Sequence, residues 1–427
     1  MPFKKKERRA CFSAEMALPE ECRFYLQSDD SKERQGDRMD MEKLYENQSY
    51  LQEYGTTVTD SKTDGKKHLI ELEASIFFPE EGGQYADTGW LIWKEKKVRL
   101  LDGQIKNGAV WYQTDTEIPA GETVKCQLDW DKRYMRMQQH TGEHILTGMI
   151  HNNFGYNNVG FHLSDDAPVT LDLDGVLTVE QAMEMETKAN EAVYRNIPVC
   201  AEYPSKEELK SISYRSKIEI DGQVRLIVID GVDVCACCAP HVARTGEVGL
   251  IKIVSIQNYK GGTRLGILCG MRALLHYREQ LALMTSLANS LSTRPEQVET
   301  IVSGQKEELN QLRGRVAAME EQVLLKDVQA LPEGNNGCVF AAGTLSAGAM
   351  KNCYNTLVKK FPGYAGVFAG DEENGYRYNA GSASFDSREL AAKMREALGA
   401  KGGGSREMIQ GKASASRAEI EAFFENV

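Results

Sequence analysis

The sequence predicts an α+β chain of several parts, and three observations predict it. Between residues 42 and 128 short β-rich runs alternate with turn dipeptides, as in a small antiparallel β-barrel. From 129 to 270 strands and helices alternate around a helix bearing His140 and His144 and a later run, Cys235-Ala236-Cys237-Cys238-Ala239-Pro240-His241, which reads as a metal-binding α+β domain. From 271 to 331 long helical patterns give a helical or coiled-coil linker, and 332–427 reads as a C-terminal α/β domain. A chain of 427 residues exceeds what one core supports, so several domains are expected.

Taken in order, residues 1–41 are polar and charged without sustained periodicity, which predicts a disordered extension. The barrel strands are expected at Gly55–Thr59, His68–Phe78, Gly89–Trp93, Lys97–Leu101, Ala109–Thr114 and Thr123–Leu128, several separated by Asp64-Gly65, Asp102-Gly103 and Asn107-Gly108. Gly82-Gly83-Gln84 falls between strands. Its glycines suit either a tight turn or a backbone that lets a ligand approach closely.

Asp129 is a plausible N-cap for a helix from Trp130 to about Asn152, stopped by Gly155. Tyr134, Met137, Thr141, Ile145 and Met149 keep helical spacing and should face the core, leaving His140 and His144 beside it, towards a cleft. His151 and His162 read as hydrogen-bonded or exposed. Further on, Val169–Leu173 is expected as a strand, Val179–Arg195 and Ser205–Ser211 as helices, and Val224–Ile229, Leu250–Ile256 and Arg264–Leu268 as strands, with Lys260-Gly261-Gly262 a turn.

Met271–Leu291 is amphipathic, and Pro295 suits the first turn of a second helix. Val298, Val302, Gln305, Leu309, Leu312, Val316, Met319 and Val323 then step by four and three, a heptad seam for a self-packed hairpin or a homodimer. Past Pro332, strands are expected near Cys338–Ala341, Ala365–Ala369 and Arg377–Gly381, and helices near Ala347–Phe361 and Ser387–Leu398.

His140 and His144 lie one helical turn apart, where two imidazoles can share a metal, although such a pair is more often an ordinary polar face. Cys237 and His241 add a thiolate and an imidazole, the ligands that tetrahedral zinc (Zn2+) prefers, although free cysteines are also common small buried residues. Both halves in one chain favour zinc. Cys235, Cys237 and Cys238 all lie within reach.

A net charge of −11 argues against a chain that grips nucleic acid over its whole surface, so an RNA partner needs local patches. Lys132, Arg133 and Arg136, upstream of His140, are candidates, the alternative being a solvated helix face. No stretch approaches the ~20 apolar residues of a membrane helix, so no membrane partner is expected. No apolar signal-type run follows Lys4-Lys5-Lys6, and ten cysteines without regular spacing suit a reducing compartment, so the expected location is cytoplasmic.

The HxxxH helix and later CxxxH, followed by Val242 and Thr245-Gly246-Glu247-Val248-Gly249, resemble the editing domain of alanyl-tRNA synthetase and the free-standing AlaX-type editing proteins. A third motif agrees: Phe77-Phe78-Pro79-Glu80-Glu81-Gly82-Gly83-Gln84, then Asp87 and Gly89, is similar to that family's F-Y-P-x-x-G-G-Q-x-x-D-x-G. The departures are Phe78 for the usual Tyr and Cys238-Ala239-Pro240 for smaller residues. Gly402-Gly403-Gly404-Ser405-Arg406 with Gln410-Gly411-Lys412 resembles the glycine-rich signature of the DHH-associated domain that ends the long AlaX proteins; as bare sequence it suits a linker or a phosphate- or RNA-contacting loop.

The resemblance spans about residues 42–427 and implies zinc on His140, His144, Cys237 and His241. It implies hydrolysis of tRNA for alanine mischarged with serine or glycine, in a chain where nothing before Leu44 reads as an aminoacylation domain. Glu143 is then the nearest candidate base, its rival reading a solvated carboxylate. Ser75 and Gln84 are candidates to read a serine hydroxyl, though either suits a strand surface. Two other readings compete: a metallopeptidase, because His140-Thr141-Gly142-Glu143-His144 also fits H-x-x-E-H, and a non-catalytic zinc-stabilised tRNA-binding module.

Overall fold

The computed structural model describes residues 41–216, 222–343 and 345–427. The expected N-terminal extension, apart from Met41, lies outside them. The chain forms two compact units, one ending at Ala282 and one running from Leu283 to Val427.

The first unit opens with β1 (Glu42–Lys43) and a single turn, α1 (Leu44–Asn47). A closed barrel follows, built from β2 (Glu53–Asp64), β3 (Lys67–Leu72), β5 (Gly89–Trp93), β6 (Lys96–Lys106), β7 (Ala109–Thr114) and β8 (Thr123–Leu128) in the order β2-β3-β7-β6-β5-β8. The expected strand His68–Phe78 is broken: β3 stops at Leu72, and β4 (Ala74–Ser75) leaves to pair in parallel with β1. Inward alternation fills the barrel with Val58, Ile70, Leu72, Leu91, Val98, Leu100, Tyr112 and Val124, all buried. Each such side chain contributes roughly 1.5–3 kcal/mol of burial.

Helix α2 (Trp130–Phe154) ends where Gly155 turns left-handed at φ 74° and donates its N–H to His151 O at 2.8 Å. Asp129 stands at the N-cap position but makes no capping bond. Its carboxylate is taken by Arg99, at Nη1 in 3.0 Å, and by Thr88 Oγ1 at 2.5 Å. Around α2 lie β9 (Asn158–His162), β10 (Val169–Leu173), α3 (Val179–Arg195), β11 (Val199–Glu202), α4 (Lys206–Leu209), β12 (Leu226–Ile229), β13 (Asp233–Ala236), β14 (Ile251–Tyr259) and β15 (Gly262–Cys269). They form one sheet ordered β14-β15-β10-β9 and another ordered β11-β12-β13. Met137, Ile145 and Leu146 of α2, Ala182, Met185 and Ala189 of α3, and Leu171, Leu265 and Ile267 share one core. β11 and β13 have too few residues for alternation to stand out in the sequence.

α5 (Gly270–Ser290) follows. In the second unit α6 (Val298–Ala330) is buried only near its end, at Leu324 and Val328. The heptad residues Val302, Leu309, Leu312, Val316, Met319 and Val323 are exposed, so among the described residues the seam is unpartnered. Beyond it, β16 (Gly337–Ala342), α7 (Ala347–Lys360), β17 (Ala365–Asp371), β18 (Gly375–Gly381), α8 (Ser387–Leu398), β19 (Lys401–Gly404), β20 (Ile409–Ala413) and α9 (Arg417–Asn426) form a sheet ordered β16-β17-β18-β20-β19, with helices against it. The glycine-rich signature is an edge hairpin rather than a loop, with Gly402 and Gly404 paired to Gly411 and Ile409. A Cβ on Gly402 would meet Gln410 O at 2.2 Å, so the two strands approach only because glycine is there. Among the described residues, no helix is long and apolar enough to cross a membrane.

Candidate metal centre

Helix α2 brings its two histidines to the middle of the first unit, and both are buried: His140 is 4% exposed and His144 2%. They face no open cleft of the helix surface, because nearly every side of α2 from Arg133 to Ile150 is covered. The stretch after β13 meets them from across. His140 Nε2 lies 3.6 Å from Cys237 Sγ, and His241 Nε2 lies 3.4 Å from the same sulfur. One ligand atom from each of His140, His144, Cys237 and His241 falls within 4.8 Å of every other. Zinc–sulfur and zinc–nitrogen bonds of about 2.3 and 2.05 Å at a tetrahedral angle put ligands about 3.6 Å apart, so these separations fit.

Each imidazole is also oriented from behind. His140 Nδ1 is 2.8 Å from Gln84 Oε1, His144 Nδ1 is 2.9 Å from Asp233 Oδ2, and His241 Nδ1 is 3.0 Å from Thr141 Oγ1. With every Nδ1 engaged, all three rings turn Nε2 towards Cys237, the arrangement in which outer partners fix the ligand tautomer. Asp233 is held in turn by Arg215, whose Nε and Nη2 reach its two oxygens at 2.7 and 2.8 Å.

The electrostatics single out one cysteine. Burial works to raise the Cys237 thiol, but the imidazoles of His140 and His241 outweigh it and hold the thiol well below its ordinary value, towards the thiolate that binds metal. Cys235 is pushed up to about 11, chiefly by burial, and Cys238 is raised further still by burial and the neighbouring Cys237. Cys235 sits instead with His144 and Asp233. His241 is driven down to about 3 by burial and so is neutral. Burial would lower His144 as well, but Cys235 and the Asp233 bond outweigh it and raise that ring well above its ordinary value. Acidic groups gather around these rings, Asp233 at 2.9 Å from His144 Nδ1 and Glu143 at 3.7 Å from its Nε2, an environment that favours a cation.

The other candidates fall unevenly. Gln84 is fully buried, and its Nε2 has no hydrogen-bond partner among the described residues. Gly82 and Gly83, at φ 61° and 84°, make the two-residue turn that places it. The turn also presses on β9, since a Cβ on Gly83 would meet Phe161 O at 2.5 Å. Ser75 is buried rather than on a strand surface, and its hydroxyl accepts from Phe77 N at 3.1 Å.

Glu143 is not a solvated carboxylate. It is buried at 3% exposure, accepts from Asn158 Nδ2 and from Thr147 Oγ1 at 3.2 Å, and keeps Oε2 3.7 Å from His144 Nε2. The expected basic patch is also absent from the surface. Arg133 is fully buried on Asp87, Ile76 O at 2.6 Å and Ser49 O at 3.0 Å, while Arg136 grips Asp165 at 2.7 and 2.9 Å and Ala86 O at 2.7 Å. These two arginines tie α2 to the loop after the barrel motif, and only Lys132 stays exposed. His151 bonds Tyr156 O at 3.3 Å and His162 is exposed, so neither joins the cluster. The partners Asp233, Asn158 and Arg215 carried no signal in the sequence beyond being polar, and the spacing of Thr141 said only that it faces the core.

Comparison with known proteins adds two family models. One, described as the threonyl and alanyl tRNA synthetase second additional domain, matches residues 224–265, the stretch holding Cys237 and His241. The other, described as tRNA synthetases class II (A), matches residues 10–132. The alanyl-tRNA editing protein AlaX-L of Pyrococcus horikoshii is 27% identical over 393 residues, covering 89% of this chain and 96% of that protein. The alanyl-tRNA editing protein Aarsd1 of Danio rerio is 26% identical over 397 residues, covering 87% and 94%. The alanine–tRNA ligase of Halobacterium salinarum is 32% identical over 281 residues, and the chain spans only 30% of its length. The resemblance to alanyl-tRNA editing proteins thus extends over most of the chain.

Proposed function

We propose that the chain is a zinc-dependent aminoacyl-tRNA deacylase that edits in trans, hydrolysing tRNA for alanine mischarged with serine and, secondarily, glycine, in the cytoplasm. The observation that carries this reading is a buried four-ligand cluster beside a buried amide, Gln84 Nε2, that lacks a partner among the described residues. A buried donor without a partner costs roughly 1–3 kcal/mol, a cost removed when a substrate oxygen accepts from it. Gln84 is therefore the group to read the serine hydroxyl. Ser75 acts behind it, by shaping the Phe77 turn.

A zinc ion on His140, His144, Cys237 and His241 supplies Lewis-acid polarisation of the ester carbonyl and of water. The chain's own residues do the rest. Glu143, held by Asn158 and Thr147 with Oε2 turned towards the cluster, takes the proton from the attacking water and returns it to the leaving ribose hydroxyl. Gln84 spans both tasks, since Oε1 orients His140 while Nε2 faces the substrate. The enclosing apolar wall of Tyr45, Phe78 and Ala239 keeps bulk water out.

Two observations weigh against the competing readings. An H-x-x-E-H peptidase takes a downstream Glu as third ligand, whereas the cluster is completed by Cys237 and His241. A purely structural zinc module has no use for a buried, unsatisfied glutamine amide. The exposed α6 seam, spaced in heptads, pairs with a second copy of the chain; sedimentation should find a dimer that Val316→Glu with Met319→Glu converts to monomer.

The deciding experiment offers tRNA charged with serine, glycine or alanine. Seryl-tRNA should be hydrolysed fastest and alanyl-tRNA should largely survive, since alanine leaves the amide unpaired. Equal rates for serine and alanine would replace editing by general deacylation. Chelation should abolish hydrolysis, and Cys237→Ala should lose the metal while Cys235→Ala and Cys238→Ala keep it.

A further inference from the structure

Resting on the reading that the substrate is an RNA esterified at its 3′ end, we infer that Tyr85, steadied by His162, is the stacking platform for the terminal base of that RNA. Two chain segments cross at His140. Gln84 touches its Nδ1 at 2.8 Å, and the Phe161 ring lies 4.7 Å from its imidazole. The next residue in each segment, Tyr85 and His162, is exposed. His162 ends strand β9, where successive side chains point to opposite faces, and Tyr85 follows Gln84 out of the glycine turn, so one step along either segment leads to an exposed residue. There the two outer residues meet, Tyr85 Oη 3.3 Å from His162 Nε2 and their rings 5.5 Å apart at 90°.

Both segments are tethered beside the platform. Leu163 N donates to Gly83 O at 2.9 Å, and Arg136 Nη1 holds Ala86 O at 2.7 Å. The Tyr85 ring meets His162 perpendicularly rather than stacked on it, and it stays 38% exposed between buried Gln84 and Ala86. In an aminoacylated 3′ end the ester oxygen belongs to the terminal ribose, so only that sugar separates the reacting carbonyl from the terminal base. A carbonyl among the Nε2 atoms with its serine on Gln84 therefore brings the base out at this rim. Charge does not select the ligand here, because exposed Lys132 shares the rim with Asp165 and Asp166. A flat ring does, and aromatic rings accept any base without reading it.

The test uses tRNA carrying 2-aminopurine as its terminal base, whose fluorescence is quenched on stacking. Binding to the full chain should quench it. Tyr85→Ala should remove the quench and raise KM for seryl-tRNA about ten-fold or more, with kcat, bound metal and thermal midpoint unchanged, whereas Tyr85→Phe, which keeps the ring and loses only the bond to His162, should keep the quench and raise KM no more than His162→Ala does. His162→Ala should give a smaller KM rise. Seryl-tRNA hydrolysis whose KM and quench ignore Tyr85→Ala would overturn the platform while leaving the deacylase reading intact. A Tyr85-dependent quench with no hydrolysis would do the reverse.

Discussion

Replacing Asp233 by Asn removes one charge and almost no volume, and the structure gives the expected size of the effect. The carboxylate lies 2.9 Å from His144 Nδ1, and its two oxygens take Arg215 at 2.7 and 2.8 Å. Asparagine still offers an oxygen to Nδ1, so the ring keeps its orientation and loses only the charge-assisted part of that bond, about half its strength. Mutating such an outer partner weakens metal binding roughly 10- to 100-fold, about 1.4–2.7 kcal/mol, and the oxygen that Asn retains places this variant at the lower end. The assay is competition for zinc against a chromophoric chelator, alongside urea unfolding at saturating zinc to measure what Arg215 loses separately. Asp230→Asn, which changes an exposed carboxylate three residues away, should leave affinity unchanged. A zinc Kd for Asp233→Asn within two-fold of wild type would refute the view that His144 is tuned through Asp233.

Arg133→Met should lower stability by about 3–5 kcal/mol in denaturant unfolding, because it strands Asp87 in the interior, while Lys132→Ala should leave stability as it is. Gly83→Ala should lose most hydrolysis and unfold earlier on heating, since the new Cβ falls 2.5 Å from Phe161 O at a φ of 84°. Burial works to raise the Asp165 carboxyl, but Arg136 outweighs it and holds it below its ordinary value of 3.8. The pair's stabilisation is therefore present at neutral pH and fades as pH drops below about 4, so Asp165→Asn should flatten the acid limb of a stability–pH curve there and no higher.

The parts legible in the sequence were those whose signal is local. Strands closed by Asn107-Gly108 or bounded by alternation, such as Ala109–Thr114 and Thr123–Leu128, were found at their true ends. The two pairs that meet in the cluster, His140 with His144 and Cys237 with His241, were legible because each sits within about one turn of chain. What stayed hidden depends on partners far away: His144 and Asp233 are 89 residues apart, and nothing near either announces the other. Residue type misled where burial was complete. Arg133, Arg136 and Glu143 look like the polar face of an amphipathic helix, but α2 is wrapped on nearly every side, so its charges are paired internally. Which of three cysteines joins the four-residue cluster turned on register: β13 pairs Cys235 with Ile227, and Cys237 lies just past its end, beside the histidines.

The three imidazoles are aimed by Gln84, Thr141 and Asp233, which the chain supplies before, within and after the histidine helix. A polypeptide emerging from the ribosome therefore makes the barrel and its glutamine first, the helix next, and the remaining ligands last. Until the final segment docks, His144 lacks its carboxylate and the cluster lacks both Cys237 and His241. On the proposed reading, hydrolytic power therefore arrives only with the finished fold.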